Sequence, residues 1–366
     1  MNIPQHSSPP KKIRLLYIGM KYDYGDPNRG LCHEYVNFLG TFEKMGNIHV
    51  DSFFFDEVLM KQGRSSMNEQ LLEAVKEHSP DVCFFVIFTD EIFKETIRSI
   101  SEKSGAVTVN WFADDHWRYD LHSKLYAPEF HWIVTTDHES VEKYRQLGCT
   151  NVILSQWGFN HLSGPPQGGN YLHEISFIGQ AHSNRRNIVR NLLQKKISVE
   201  CWGKGWENGR LAGNEMKQKF VRSRINLNFT SSTNTVNLKR LAKVFLNRRS
   251  DSTLHLNTPF EMFKEAKTLY RHQRPQIKGR NFEIPGYGGF LLTEFVDRID
   301  QYYIPDKEIV LFRNFDELVG KISFYLHHEE ERESIRLAGQ RRTLNDHTYE
   351  KRFRQILASM SFQSSH

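Results

Sequence analysis

Cysteine is scarce in this 366-residue chain and follows no pattern. Cys32, Cys83, Cys149 and Cys201 contain no C-x-x-C pair, so neither a zinc cage nor a disulfide framework is expected, and reduced, mostly buried thiols are. No uninterrupted apolar run approaches the ~18–20 residues of a membrane span. No basic, apolar, small-residue leader opens the chain, and a cytoplasmic-type protein is the expectation. No internal repeat of short period occurs. What the chain does contain is apolar and aromatic material. Apolar residues make up 39%, and 26 Phe, 14 Tyr and 6 Trp are enough for sizeable cores and ring-stacking sites. At roughly 100–200 residues per domain the length suits two domains.

Net charge is +6, and its placement says more than its size. Between Val236 and Arg280 stand 11 basic residues against 3 acidic ones, so the rest of the chain sums to −2. An anionic partner belongs at that segment if anywhere. Its basic residues alternate with Phe245, Phe260, Phe263 and Tyr270, a mixture suited to nucleic acid or to an anionic membrane surface, although a solvated helical face has the same composition.

The stretches Ile13 to Gly19, 48–55, 81–88, 106–112, 132–136 and 151–155 are short and apolar almost throughout, and helical spacing fills most of the gaps between them. Glu34, Phe38, Leu39 and Phe42 form one helical face; Leu71, Leu72 and Val75 form another. This alternation predicts a parallel sheet covered on both faces. A Gly/Pro/Ser-rich interval at 160–171 interrupts it, and the pattern resumes at 174–179, 197–202, 224–229, 289–293 and 308–312. The expected organisation is a loose tail over 1–11, a first domain over 12–160, a linker over 161–172 and a second domain over 173–345. The basic stretch 235–279 is read as an insertion in the second domain, and 346–366 as a closing helix and tail. Asn314 with Glu317 three residues on predicts a capped helix start, and Tyr349, Phe353, Ile356 and Leu357 share one face of the last helix.

Ligands of doubly wound sheets sit beyond the carboxyl ends of the strands, which directs attention to five loops. Gly179 lets backbone approach a ligand ahead of a helix start, with Arg185 and Arg186 adding charge for a diphosphate. Gly203, Lys204 and Gly205 lie between Trp202 and Trp206, a loop able to stack a base or to make a plain turn. Lys278, Arg280 and Glu283 precede the glycines Gly286, Gly288 and Gly289; such a carboxylate can take a ribose hydroxyl pair while the cations hold a diphosphate. Asp114, Asp115 and His116 end the strand 106–112 and could orient an acceptor hydroxyl or supply a base, with Asp115 as a helix cap the simpler reading. Two neighbouring carboxylates are too few to argue a metal site. Residues Tyr22 to Gly30 have the turn chemistry of a ligand-facing loop.

The segments RNFEIPGYGGFLLTE (280–294), EIVLF (308–312), DELVGKISFYL (316–326) and AGQRRTLNDHTYEKRF (338–353) resemble the C-terminal domain of CgeB-like spore-maturation glycosyltransferases. WFADDHWR (111–118), 135–148, SFIGQAHSNRR (176–186) and CWGKGW (201–206) resemble that family's preceding portions in the same order. The resemblance implies an α/β protein of GT-B type, with two doubly wound Rossmann-like domains facing across a cleft. The second would bind a nucleotide-diphosphate sugar, a UDP-sugar by expectation, and the first would present a hydroxyl acceptor. Glu283 falls at the donor ribose carboxylate and Lys278 and Arg280 near the diphosphate; no cofactor beyond the co-substrate and no metal are expected. Related retaining enzymes carry another glutamate eight positions earlier, where this chain has Pro275, which leaves the stereochemical outcome open. The alternative of a different class is a non-catalytic GT-B-like protein holding nucleic acid or an anionic surface through the basic stretch. A third reading joins the two, an enzyme whose acceptor is itself anionic. The sequence does not set the oligomeric state.

Overall fold

A computed structural model describes residues 12–166, 169–230, 245–248, 254–259, 262 and 275–361. The chain divides into two compact units, the first made of Met1–Gln156 with Tyr349–His366, the second of Trp157–Thr348. The division thus falls just ahead of the Gly/Pro-rich interval, which lies inside the second unit. The closing helix belongs with the first.

The first unit holds a six-stranded parallel sheet in the order β2-β1-β3-β4-β5-β6, from β1 (Ile13–Gly19), β2 (Ile48–Phe54), β3 (Val82–Phe85), β4 (Val107–Phe112), β5 (Trp132–Thr135) and β6 (Val152–Leu154). Its inner strands β1, β3 and β5 are apolar nearly throughout because both sides are covered, whereas the edge strand β2 exposes His49 and Ser52. Alternate residues Leu16, Ile18, Cys83, Phe85 and Phe112 enter one core with Met67, Leu71 and Val75 of the helix α1 (Phe55–His78). The side chains between them, Phe84 and Trp111, face the opposite way and meet Phe38, Phe42 and Phe353. Leu72, expected on the buried face of α1, is 37% exposed.

The second unit has a five-stranded parallel sheet in the order β13-β12-β9-β7-β8, from β7 (His173–Ile178), β8 (Glu200–Trp202), β9 (Ser223–Asn228), β12 (Leu291–Glu294) and β13 (Val310–Phe312). The expected strands fall within one to three residues of these bounds. An antiparallel pair, β10 (Leu246–Arg248) and β11 (Leu254–Leu256), lies in the basic segment. The other basic residues there, Lys239, Arg240, Lys243, Arg249, Lys264, Lys267, Arg271 and Arg274, lie outside the described residues. Ile175, Phe177, Ile225, Leu227, Leu292 and Val310 build one core, while Ile178, Leu291 and Leu311 pack on the other face against Phe282 and Ile284 of the helix α2 (Arg280–Gly286). The predicted cap is present: Asn314 Oδ1 accepts from the Glu317 N–H at 2.9 Å, starting the helix Phe315–His327. The four cysteines are free thiols, three of them buried. Among the described residues no helix is long and apolar enough to cross a membrane.

Candidate functional site

Five strands of the second unit run parallel, so the loops after β7, β8, β9 and β12 and the start of α2 gather at one edge of the sheet. Arg185 stands at the centre of this edge. It lies on the first turn of the helix Ser183–Gln194, and its guanidinium donates to the carbonyls of Gln180 at 3.1 Å and Phe229 at 2.8 Å. These bonds tie the loop after β7 to the end of β9. Burial lowers the Arg185 pKa to about 10; the nearby Glu294 carboxylate opposes that shift and the Arg280 cation adds to it. Its Nε is buried with no partner in the structure, a donor that costs free energy until something accepts from it.

Glu294 ends β12 and accepts from both the N–H (3.0 Å) and the hydroxyl (3.2 Å) of Thr230. Arg280 opens α2, pairs with Glu283 one turn on, and lies over the Phe220 ring. Asn281, fully buried, fixes this turn: its Oδ1 accepts from the Lys278 N–H at 2.9 Å and its amide donates to Thr293 at 3.2 Å. Two cations and two carboxylates are thus held by buried polar anchors at the carboxyl ends of three strands.

The two glycine loops beside this group are explained first by each other. Gly203 has φ of +128°, and a Cβ there would fall 2.3 Å from the Gly179 carbonyl oxygen. The Trp206 indole donates to that same oxygen at 2.9 Å, and the Ala181 N–H to the Lys204 carbonyl at 3.0 Å. Trp202 is buried, so a base cannot stack on it. Lys204 projects from this pair of loops into solvent, while Arg186 is exposed and donates to the Gly205 carbonyl at 2.7 Å. Gly288 does not join the group. It precedes β12 and so stands at the opposite end of the sheet, with φ of +88°, and a Cβ there would fall 2.9 Å from the Gln340 side-chain nitrogen.

At the carboxyl edge of the first unit, the adjacent aspartates part company. Asp114 takes a left-handed conformation, φ 58° and ψ 29°, at the head of the short helix Asp115–Arg118. It remains half-buried, and its charge opposes the downward pull of burial on the Arg118 pKa. Arg118 donates to the Phe88 carbonyl and lies over the Phe88 ring, whose edge meets Tyr24 with centroids 5.0 Å apart. The 22–30 loop therefore does come to this edge, with Arg29 stacked 4.1 Å from the Tyr24 ring centroid. His116 is buried.

Asp115 is 0% exposed, and its Oδ2 accepts from the hydroxyls of Thr135 (2.6 Å) and Tyr144 (2.8 Å). It is a structural tie between β4, β5 and the helix His138–Gln146, sealed from any acceptor. Burial pushes its pKa from 3.8 up to about 7, against the lowering effect of those hydroxyls. A raised carboxyl pKa means the native state favours the protonated form. The stabilisation is complete below about pH 4 and is lost as pH rises to about 7, by up to ~4 kcal/mol at 1.36 kcal/mol per unit. Asp115→Asn keeps an acceptor and carries no charge, so the difference between wild type and variant in urea unfolding should vary over pH 4–7. A constant difference would remove Asp115 as the source.

Among the described residues no three His, Cys, Asp or Glu side chains cluster as metal ligands would.

With this geometry in view, known proteins divide into those alike in fold and those alike in sequence. The chain superposes on a sucrose-phosphate synthase from Thermosynechococcus elongatus with a TM-score of 0.59, at 10% identity, over 95% of this chain and 100% of that one. Anabaena HepE, in a complex with UDP-glucose, gives 0.55 at 9% identity, over 95% and 99%. The fold is GT-B. In sequence, residues 237–358 match the family model described as glycosyl transferase-like. The spore protein CgeB of Bacillus subtilis (strain 168) is 20% identical over 282 residues, 76% of this chain and 83% of that protein. The chain is thus similar in sequence to CgeB and to a glycosyl transferase-like family model, and in fold to GT-B proteins. The family match takes in the basic segment together with Lys278, Arg280, Glu283 and Glu294.

The structure brings Arg185, Arg280 and Glu283 to one sheet edge of the second GT-B unit, with Gly179, Gly203 and Lys204 on the adjoining loops and Lys278 just before α2. Sequence reasoning missed Glu294, Thr230 and Asn281. A signal for Glu294 exists: among the described strands it is the one carboxylate closing an apolar strand.

Proposed function

We propose that the protein transfers a sugar from a nucleoside-diphosphate sugar, with uridine as the base, to a hydroxyl acceptor. The single observation that carries this reading is the convergence of Arg185 with Arg280, Glu283 and Glu294, the last three within the residues that match the glycosyl transferase-like family model, in a fold shared with a UDP-glucose-bound protein. Glu283 would take the ribose hydroxyls. Arg280, Lys204 and the N-terminus of the helix Ser183–Gln194 would hold the diphosphate, where negative charge grows as the glycosidic bond breaks. Cations and backbone donors in those positions can do the work of a metal, so transfer is proposed to be metal-independent and to need no further cofactor. The bound UDP-glucose of HepE supports the choice of donor.

A panel of nucleotide sugars tests the reading without knowledge of the acceptor. Release of UDP from a UDP-sugar, unaffected by EDTA, is expected; salt-sensitive binding of DNA with no release from any nucleotide sugar would replace it by the binding-protein reading.

Asp114 is proposed to act on the acceptor. It is the accessible member of its aspartate pair, held in a left-handed turn that backbone energetics alone would not select. Asp114→Asn should cut turnover at least ~10-fold, as for loss of general-base assistance, with the dissociation constant of the donor changed less than twofold. Equal losses in turnover and donor affinity would assign Asp114 to the fold or to the donor.

A further inference from the structure

The second unit carries a groove of about 690 Å³ that the proposed transfer does not use. Its lining includes Tyr171, Arg224, Tyr287, Gly288, Arg336 and Gln340. Tyr171 comes two residues before β7, Arg224 is the second residue of β9, and Gly288 comes three residues before β12. The groove therefore opens at the amino ends of these parallel strands, opposite the edge that bears Arg185, Arg280 and Glu294.

Arg224, Arg336 and Glu329 line it, and Arg222, Arg332 and Glu333 touch that lining without joining it. Arg224 and Arg332 both approach the Tyr171 ring, at 5.8 and 5.7 Å from its centroid. Arg336 bonds Glu333 at 2.7 Å and the Gly288 carbonyl at 3.0 Å, while Glu333 also takes the Tyr171 hydroxyl. Arg222 lies against Gly169, where a Cβ would come within 2.9 Å of its amino nitrogen. Arg332 is 0% exposed, donates to the Tyr325 carbonyl at 2.6 Å and pairs with Glu329 at 3.2 Å.

One feature of the lining asks for a ligand. Arg224 enters no hydrogen bond or ion pair among the described residues. Arg224 and Arg336 against the single lining carboxylate Glu329 leave the lining positive, which suits a phosphomonoester carrying about −1.5 to −2 at neutral pH. Arginine forks bind its oxygens in pairs. The amides of Asn170 and Gln340 beside the arginines suit hydroxyl groups on the remainder of such a ligand. The volume falls in the range of small-molecule sites.

We propose that this groove binds a small polyhydroxylated phosphomonoester, such as a sugar phosphate, at a site separate from the donor site. Inorganic phosphate and glucose 6-phosphate are the probes, titrated calorimetrically into the full-length protein with and without saturating UDP. Both are expected to bind, glucose 6-phosphate the more tightly, with UDP leaving the affinities unchanged. Arg224→Gln is the primary variant, since that side chain enters no hydrogen bond or ion pair among the described residues, and should weaken glucose 6-phosphate at least tenfold while UDP affinity stays as in wild type. Arg336→Ala should do the same, read only if its thermal midpoint shows it folded. Absence of binding at millimolar concentration, displacement by UDP, or an unchanged affinity in Arg224→Gln each overturns the proposal. Because UDP is measured independently, loss of the phosphate site and loss of the donor reading give different results.

Discussion

Glu283→Ala is expected to weaken nucleoside diphosphate binding about 10- to 100-fold and to leave the protein folded. The size follows from charge-assisted hydrogen bonds, worth about 1.5–3 kcal/mol, between a carboxylate and the ribose hydroxyls. Glu283 is 4% exposed and paired with Arg280. The Arg280 side chain, at 29% exposed, can turn toward a diphosphate and so free the carboxylate for the sugar. The two partners should therefore differ when removed singly. Loss of Glu283 releases a guanidinium that water can reach. Loss of Arg280 takes the cation from a nearly buried carboxylate, and should lower stability as well as affinity. Titration of UDP into both variants, alongside urea unfolding, distinguishes them. A Glu283→Ala protein with wild-type UDP affinity would end the ribose assignment, and equal stability losses would show the pair to be merely structural.

The same region shows how far sequence reasoning reaches. Strands such as Ile13–Gly19 are legible because a doubly covered strand must be apolar on both faces, and few other structures need that composition. Arg280 and Glu283 are legible as a charged turn ahead of a glycine-rich run. Gly203 is legible as a position of unusual backbone, yet the object that approaches it is the Gly179 carbonyl, a neighbour that no linear spacing reveals. Gly288 looks the same in sequence but lies before its strand, and only the direction of β12 tells which end of the sheet it serves. Asp114 and Asp115 are adjacent and chemically identical; a left-handed residue at 114 turns one toward the rim and the other into the core. Glu294 and Thr230 acquire meaning only when β9 and β12 pair.

The closing helix illustrates the remaining gap, because its apolar face predicts burial without naming the surface that buries it. Phe353 is fully buried. It stacks on Phe42 with centroids 4.1 Å apart and meets Phe38 at 5.3 Å and Phe84 at 5.8 Å. All of these belong to the first unit and stand far earlier in the chain. Phe353→Ala should therefore destabilise the first unit by about 3–5 kcal/mol, the range for deleting a buried phenyl ring and leaving its cavity. Gln355→Ala, on the exposed face of the same helix, should change stability by no more than ~0.5 kcal/mol. Urea unfolding followed by hydrogen exchange supplies the test. In Phe353→Ala the added exchange should appear in β3 and β4, where Phe84 and Trp111 meet the ring, and amides of β9 and β12 should keep their protection. Faster exchange in the second unit alone would mean that the helix stabilises the part of the chain it follows in sequence rather than the sheet it packs on.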